Sequence, residues 1–558
     1  MTTSSRNKLF KTGICLIMAI IPAYFSCGSQ RTVTVDKFGF YEISMTASGR
    51  YQNPFTDLIS EVELTRPNGK YWKIPLFWDG GATWKFRISP DIEGAWSWTI
   101  NSDDRALRRE KGSFVCKASS HKGTIEPMSG YPYHFQYGNG DRMWFMGETG
   151  WALFNDNAEE KLDRSGFEKF VTTRASQGFN VIHSMMLSEA GWGNSGGMPF
   201  IDMEKQIPNP GYWKEVDSRI NFANQHGLIV GLVLGWGDKN TRVPYPWRLF
   251  PDIQARENYT RYIAARYSAY NVYFLIAGEW HAEIRTRPGS EDGIREEFIG
   301  LGNALDNADP HGRMIGIHPM NSNGSVREFN AASWMSFGDY QQNYRELHGR
   351  VLESMKFNKP VINSEYGYHL RDQDGDGVPD KDNSTSLESM RHSSWDIVMA
   401  GGYFVTGFGT TYFGGNRDPG PFNVDAEKND DWERQIGYIK SFFEGLEYWK
   451  LRSCDSLLRC DVEREDDGRQ LNRLAPPSKT YWLLAEPGRQ YVIYVRGIDE
   501  KKSPKLEETS AGSFEVKFFN PRTGDIKTVT ENIYLKGSFT WTPPDNNDWV
   551  VLILKRSD

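Results

Sequence analysis

The chain changes its hydrophobic rhythm twice. From residue 31 to 118, short alternating runs, "YEISMTA", "VELTRP", "YWKIPLFW", "TWKFRIS", "GAWSWTI" and "GSFVCKA", are divided by turn signals such as "PNGK", "WDGG" and "SPDIEG". Strands of this length and spacing predict an antiparallel β-sandwich over residues 31–118. From residue 121 the apolar runs alternate with longer amphipathic stretches, among them "RSGFEKFVTTRASQG", "YWKEVDSRINFANQHG" and "QARENYTRYIAARYSAY". Several of these stretches end in Gly, as helix C-termini favour. Eight runs stand in this region: "MWFMGE", "NVIHSMML", "GLIVGLVLGW", "NVYFLIAGEW", "MIGIHPM", "WMSFGDY", "PVINSEYG" and "GYFVTGFG". Eight strand–helix repeats predict an α/β fold, a (β/α)8 TIM barrel over residues 121–450. A doubly wound open sheet would want a Gly-rich phosphate loop after its first strand, and "GETGW" is not one. After "EGLEYWKL" the alternating runs return as "YWLLAEP", "QYVIYVRG", "SFEVKFFNPRTG", "GSFTWTPP" and "DWVVLILK". They predict a second antiparallel β-sandwich over residues 455–558.

Composition and charge narrow the function. A chain of 558 residues is too long for one ordinary domain, in keeping with three parts. The net charge is −7 and no basic run is interleaved with aromatics, which argues against a nucleic-acid partner. Aromatic residues make up 14% of the chain, enough either for large cores or for surfaces that stack on sugar rings. At the N-terminus Arg6, Lys8 and Lys11 precede "GICLIMAIIPAYF" and then "SCGSQ". Residues 1–27 therefore read as a lipoprotein signal peptide with Cys27 as the lipidated residue. An ordinary signal peptide with an incidental cysteine is the alternative. The expected membrane partner is a lipid anchor, not a spanning helix. Beyond Cys15 and Cys27 only Cys116, Cys454 and Cys460 remain, which is neither a disulfide framework nor a zinc pattern. Cys454 and Cys460 either close a small loop or stay unpaired.

Barrel active sites sit at the C-terminal strand ends. Those ends carry Glu148 and Trp151; His183 and Glu189; Trp236 and Asp238; Glu279, Trp280 and His281; His318; Asp339 and Tyr340; Glu365 and Tyr368; and Tyr412. Glu279 ends the fourth run and Glu365 the seventh, and these strands face each other across a barrel mouth. Glycosidic cleavage needs one carboxyl to protonate the leaving oxygen and a second to attack or to activate water. Glu279 is the expected general acid/base and Glu365 the nucleophile. The expected substrate contacts are Glu148, Trp151, His183, Trp236, Trp280, His281, His318, Tyr340, Tyr368 and Tyr412, with Tyr366 also shaping the pocket. His183, His318 and Asp339 are each as readily support residues as contacts. No cofactor is expected for catalysis.

The stretches "FMGETGWALF", "ASQGFNVIHSMML", "FANQHGLIVGLVLGWG" and "KPVINSEYG" resemble the apiosidase-like glycoside hydrolases, a (β/α)8 group common in Bacteroidota. "WKIPLFWDGGATWKFRISPDIEGAWSWTI" resembles the N-terminal sandwich of unassigned function often fused to them. "YVIYVRG" and "FEVKFFNPRTGD" resemble their C-terminal, collagen-binding-like sandwich. The resemblance implies a carbohydrate partner and a bacterial-envelope location. It also implies an aspartate where this chain has Glu148 and Glu279, and the wider retaining-barrel clan an asparagine where it has Gly278. Apiose itself is therefore not carried over as the substrate. No acidic residue follows Cys27 until Asp36, which favours a periplasm-facing anchor over the cell surface.

Seven residues after Glu365, "DQDGDGVPDKDN" places Asp372, Asp374 and Asp376 at positions 1, 3 and 5 of a calcium-type loop. Val378 supplies a carbonyl at position 7, and Asp380 and Asn383 fall at positions 9 and 12. Five aspartates within residues 372–382 repel one another without a cation, so a structural calcium is expected; a solvated acidic loop is the alternative. The sequence thus points to a glycoside hydrolase acting on a plant or algal polysaccharide or its oligosaccharides, with retention as the expected outcome. A glycan-binding lipoprotein with an inactive barrel is the competing class. A polysaccharide lyase would want a tyrosine or lysine base beside a charge-neutralising cluster.

Overall fold

The computed structural model describes residues 32–188, 191–237, 246–320, 324–342, 346–368, 386–407, 431–464, 479–498 and 502–556. The predicted signal peptide, Cys27, Tyr412, Glu189, Asp238 and the whole of the predicted calcium loop lie outside them.

Eight parallel strands form the central barrel: β1 (Met146–Thr149), β2 (Val181–Met185), β3 (Ile229–Val233), β4 (Val272–Leu275), β5 (Ile315–Gly316), β6 (Gly338–Gln341), β7 (Val361–Glu365) and β8 (Tyr403–Thr406). Six fall inside the runs that predicted them, and β1 and β6 extend one residue past theirs. Their hydrogen-bonded order is β5-β4-β3-β2-β1-β8-β7-β6. A bridge between Ile315 and Met335 closes the seam between β5 and β6. The strands are buried on both faces, by side chains inside the barrel and by helices outside, which is why they read as continuous apolar runs. Around them lie α1 (Arg164–Ser176), α2 (Pro210–Gln225), α3 (Ile253–Tyr267), α4 (Ala282–Thr286), α5 (Glu291–Ala308), α6 (Ser325–Phe329), α7 (Leu347–Met355), α8 (Leu387–Val398) and α9 (Asp431–Glu444). Asp163, Asn209, Asp252 and Ser386 cap the N-termini of α1, α2, α3 and α8 with side-chain acceptors. Pro210 also pre-sets the first turn of α2.

The N-terminal sandwich stacks a five-stranded sheet (strands at 34–36, 111–117, 94–102, 60–65 and 71–75) on a three-stranded one (41–46, 83–88 and 77–78). Val62, Ile74, Phe86, Trp96 and Phe114 fill the space between. It is tied to the barrel by buried charge. Arg87 reaches Asp217 at 2.6 Å, and Arg266 reaches Asp217 at 2.7 Å and Asp79 at 3.0 Å. The C-terminal domain is built from one antiparallel sheet in which Lys505–Phe519 bridges its neighbours and pairs with the mostly exposed Ile526–Phe539. One face holds its own core around Leu483, Ile493, Phe514 and Val551. The other lies on the barrel, where Tyr494 stacks on Trp395 at 5.3 Å and Arg496 pairs with Asp396 at 2.7 Å. Cys454 and Cys460 are unpaired, and the Cys460 thiol donates to the Lys502 carbonyl.

Candidate active site

The mouth of the barrel is built from the ends of β1, β3, β4, β5, β6 and β7. β1 runs into a turn held against β2 by Gly150 N–H to the His183 carbonyl and Met185 N–H to the Trp151 carbonyl. This turn lays the Trp151 indole across the mouth, edge-on to Trp236 at 5.1 Å and tilted over His318 at 5.9 Å. The Trp151 Nε1–H donates to the Tyr368 hydroxyl at 2.7 Å, and that hydroxyl donates to Glu365 Oε1 at 2.9 Å. On the other oxygen, His318 Nε2 lies 3.0 Å from Glu365 Oε2. His318 Nδ1 faces Ser364 Oγ at 2.7 Å and Asp339 Oδ2 at 3.4 Å. Burial alone would lower the His318 pKa, but Asp339 and Glu365 on its two sides outweigh it and hold it up, at about 10.

Glu279 sits in a different nest. Trp236 Nε1–H donates to Oε2 at 3.2 Å and the Gln341 carboxamide donates to Oε1 at 3.0 Å. The strand end that carries it is tightly bent. Trp236 bridges Gly278, and a Cβ at residue 278 would overlap the Trp236 ring, so only glycine fits beneath the indole. The next residue, Glu279, takes a left-handed φ of 43°. Such a conformation costs about 1–3 kcal/mol and persists where the surroundings over-determine it. Both glutamates are buried, Glu279 at 8% and Glu365 at 4% exposure, and Trp151, Trp236 and His318 are at 0%. The result is two carboxyls in one aromatic bowl, each gripped on both oxygens.

Residues 131–450, more than half of the chain, match the family model of the apiosidase-like catalytic domain. The chain belongs to the apiosidase-like glycoside hydrolases. Residues 34–103 match a domain of unknown function, DUF5060. Among solved structures, a candidate glycoside hydrolase from Bacteroides vulgatus aligns with a TM-score of 0.69 at 17% identity, over 94% of this chain and 100% of its own. A second glycoside hydrolase aligns at 0.61 and 18% identity, over 78% of this chain and 98% of its own. A family 5 glycoside hydrolase from Bacteroides vulgatus aligns at 0.59 and 18%, over 78% and 93%. At such identities these likenesses speak to the fold. No curated protein matches the chain.

In this apiosidase-like hydrolase the sequence-predicted residues divide. Glu279, Glu365, Trp151, Trp236, His318 and Tyr368 come together at the mouth. His281 stands beside them, its Nδ1 accepting from Met320 N–H; burial, then the charge of His318, lowers its pKa to about 4. His183 lies deeper inside the barrel, hydrogen-bonded to the Tyr273 hydroxyl, and burial followed by His318 lowers it to about 3.

Four residues expected at the pocket face elsewhere. Glu148 is in register with Ile182, while its neighbour Thr149 is in register with His183. Strand alternation therefore turns Glu148 out to the helices, where it forms a buried ion pair with Arg174 of α1. Trp280 packs against Phe329 and Phe298. Tyr340 points between α6 and α7, its hydroxyl 3.5 Å from the Leu347 carbonyl. Tyr366 is buried against Phe404 with its hydroxyl on Ser394. A register shift after Tyr340 sets Gln341 opposite Glu365 and brings Gln341 into the mouth instead. Gln341 and Ser364 carry no charge and went unread; the one available signal was an amide and a hydroxyl beside strand-end acids. Among the described residues no group of His, Cys, Asp and Glu could hold a metal ion.

Proposed function

We propose that this hydrolase cleaves a plant or algal polysaccharide, or its oligosaccharides, with retention of configuration. The observation that carries the reading is the pair of gripped carboxyls at the ends of β4 and β7. Glu279 is the general acid: its proton passes to the glycosidic oxygen as the bond to the anomeric carbon breaks. Glu365 attacks that carbon and forms a glycosyl ester. Water then attacks the same carbon, gives its proton to Glu279, and the ester electrons return to Glu365. Trp151, Trp236 and Tyr368 hold the two carboxyls in place through their N–H and O–H groups. The deciding experiment screens the protein against plant and algal polysaccharides, with Glu365→Gln as control and the anomer of the first product followed by NMR. Release of sugar by the wild type alone, with retained configuration, supports the reading. Equal release by both proteins, or inversion, removes it.

Cys27 is proposed as the lipidated residue and the periplasm as the working compartment, where imported oligosaccharides would be trimmed from their ends. Among the described residues no helix is long and apolar enough to cross a membrane. Cys27→Ala is expected to move the protein from the membrane to the soluble fraction. Rapid loss of the wild type from protease-treated intact cells would place it on the surface instead.

A further inference from the structure

Beneath Glu365 lies a second, almost fully buried carboxylate. Asp339, at 1% exposure, is on β6, His318 follows β5, and Ser364 is on β7. Ser364 Oγ donates to Asp339 Oδ1. A hydroxyl has one proton, so with that proton on Asp339 the Ser364 oxygen offers only lone pairs to His318 Nδ1, 2.7 Å away. Nδ1 must then carry hydrogen. Asp339 Oδ2 has no hydrogen-bond donor within the described structure and lies 3.4 Å from the same Nδ1. On the far side of the ring, Nε2 lies 3.0 Å from Glu365 Oε2. The other Glu365 oxygen already accepts from Tyr368. A carboxylate there accepts from both, which requires hydrogen on Nε2 as well. The geometry is that of an imidazolium held between two carboxylates.

We propose that Asp339 is a positioning residue for the glycosidase reaction: acting directly and through Ser364, it holds His318 as a cation that fixes and steadies Glu365. This rests on the nucleophile role assigned to Glu365 above. In the first step a carboxylate pinned by Tyr368 and His318 attacks along one direction. In the second, water oxygen bonds to the anomeric carbon, the carbon–oxygen bond to Glu365 breaks, and its electron pair returns to Glu365, where the His318 N–H is waiting. The water proton goes to Glu279, so His318 keeps both of its own. The groups facing His318 are Asp339 from β6, Ser364 and Glu365 from β7, His183 from β2 and His281 from the turn after β4; Asp339 and Glu365 raise its pKa, whereas its charge lowers those of both histidines. Burial pushes the Asp339 carboxyl up and His318 draws it back. The same contacts also span the seam where β5 and β6 are joined by the Ile315–Met335 bridge.

A purely structural role and a charge-holding role part company in Asp339→Asn, which keeps the size and a hydrogen-bond acceptor for Ser364 and removes the charge. The readout is the imidazole nitrogen spectrum of protein labelled at histidine, with the His318 signal identified by its loss in His318→Gln. In the wild type that ring is expected to stay doubly protonated past about pH 8, above the ordinary histidine range. In Asp339→Asn it is expected to be neutral there, with kcat down about 10²-fold and KM within about threefold. Ser364→Ala, which leaves the charge, is expected to keep the cation and lose under about tenfold. A neutral His318 at pH 7 in the wild type overturns the proposal, and this needs no variant to fold. So does an Asp339→Asn protein that keeps the cation and more than a third of the activity. The spectrum is read without substrate, so a wild type with no glycosidase activity on any glycan would overturn the proposed function and leave the charge-holding result to stand by itself.

Discussion

Glu279 and Glu365 are the same side chain at the ends of two strands of one barrel, yet their surroundings have little in common. The described partners of Glu279 are neutral, an indole N–H and a carboxamide, on a backbone bent to a φ of 43°. Glu365 ends β7 just past a register shift against β6 and faces a histidine whose pKa two carboxyls raise to about 10, together with a tyrosine hydroxyl. A cation beside a carboxylate pins it more firmly than neutral donors do, a charge-assisted hydrogen bond being the stronger kind. Unlike surroundings are how one site gives two carboxyls different tasks. The contrast, more than the presence of two glutamates, is what supports the proposed roles.

Removing either carboxyl gives the largest expected effect and separates the roles. Glu365→Ala should lower turnover by at least about 10³-fold on every substrate, since nothing replaces the attacking atom. Glu279→Ala should do the same on a natural glycoside but lose much less on an aryl glycoside whose phenol departs without a proton. Steady-state kinetics on the two substrate types check this. The reverse pattern would exchange the roles, and more than a tenth of wild-type activity in either variant on the natural substrate would remove the assignment.

Next come the neutral donors. Trp236→Phe removes one hydrogen bond to Glu279 together with part of the ring, and Gln341→Leu removes the other. Each should lower kcat about 10- to 100-fold, a hydrogen bond to a charged group being worth about 1.5–3 kcal/mol. Each should also move the alkaline limb of the pH–rate profile, which reports the acid, and leave the acid limb in place. Movement of the acid limb alone would mean that these residues serve Glu365.

Much of this was legible in the sequence, and what was missed has one cause. The eight strands announced themselves because burial on both faces demands apolar runs. Glu279 and Glu365 stood out because a carboxyl closing such a run is costly to bury without purpose. Which way a strand-end residue points was not legible. Glu148 and Thr149 differ by one position, and the alternation that sends Glu148 to Arg174 depends on a register set by β2 and β8. The shift that admits Gln341 and excludes Tyr340 is likewise a property of the β6–β7 pair, not of "GDYQQ". The Ile526–Phe539 strand was read as only its last few residues because, as a mostly exposed edge, it carries little apolar pattern.

Two buried histidines sharpen the comparison by pH. His318 has a pKa raised to about 10, so its contribution to stability is complete below the unfolded value of about 6.5 and is lost as pH rises towards 10. His183 has a pKa lowered to about 3, so its contribution is complete above about 6.5 and is lost as pH falls towards 3. One proton changes stability by at most about 1.4 kcal/mol per pH unit. Denaturant melts from pH 7 to 10 should fall more steeply for the wild type than for His318→Gln. Melts from pH 6.5 to 4 should flatten in His183→Phe. Identical slopes in wild type and His318→Gln would mean that the site holds no cation, and the contrast between the two carboxyls would lose its basis.

The smallest expected effect tests whether the contrast extends past the described residues. The loop from Asp372 to Asn383 begins seven residues after Glu365 and leads towards α8, whereas Glu279 is followed directly by α4. We expect calcium in that loop on the spacing of its acids, with a structural role. A cation bound only by the folded protein stabilises by mass action, about 2.7 kcal/mol at a hundredfold excess over Kd. Chelation should therefore lower Tm by a few degrees, and calcium should restore it. Because the loop follows β7 in the chain, chelation should also lower the activity of the Glu279→Ala variant on an aryl glycoside, a reaction that still depends on Glu365. Asp374→Asn should weaken both responses. An unchanged melt on protein shown by metal analysis to be free of calcium would leave "DQDGDGVPDKDN" as a solvated acidic loop, and would confine the difference between the two carboxyls to the side chains that touch them.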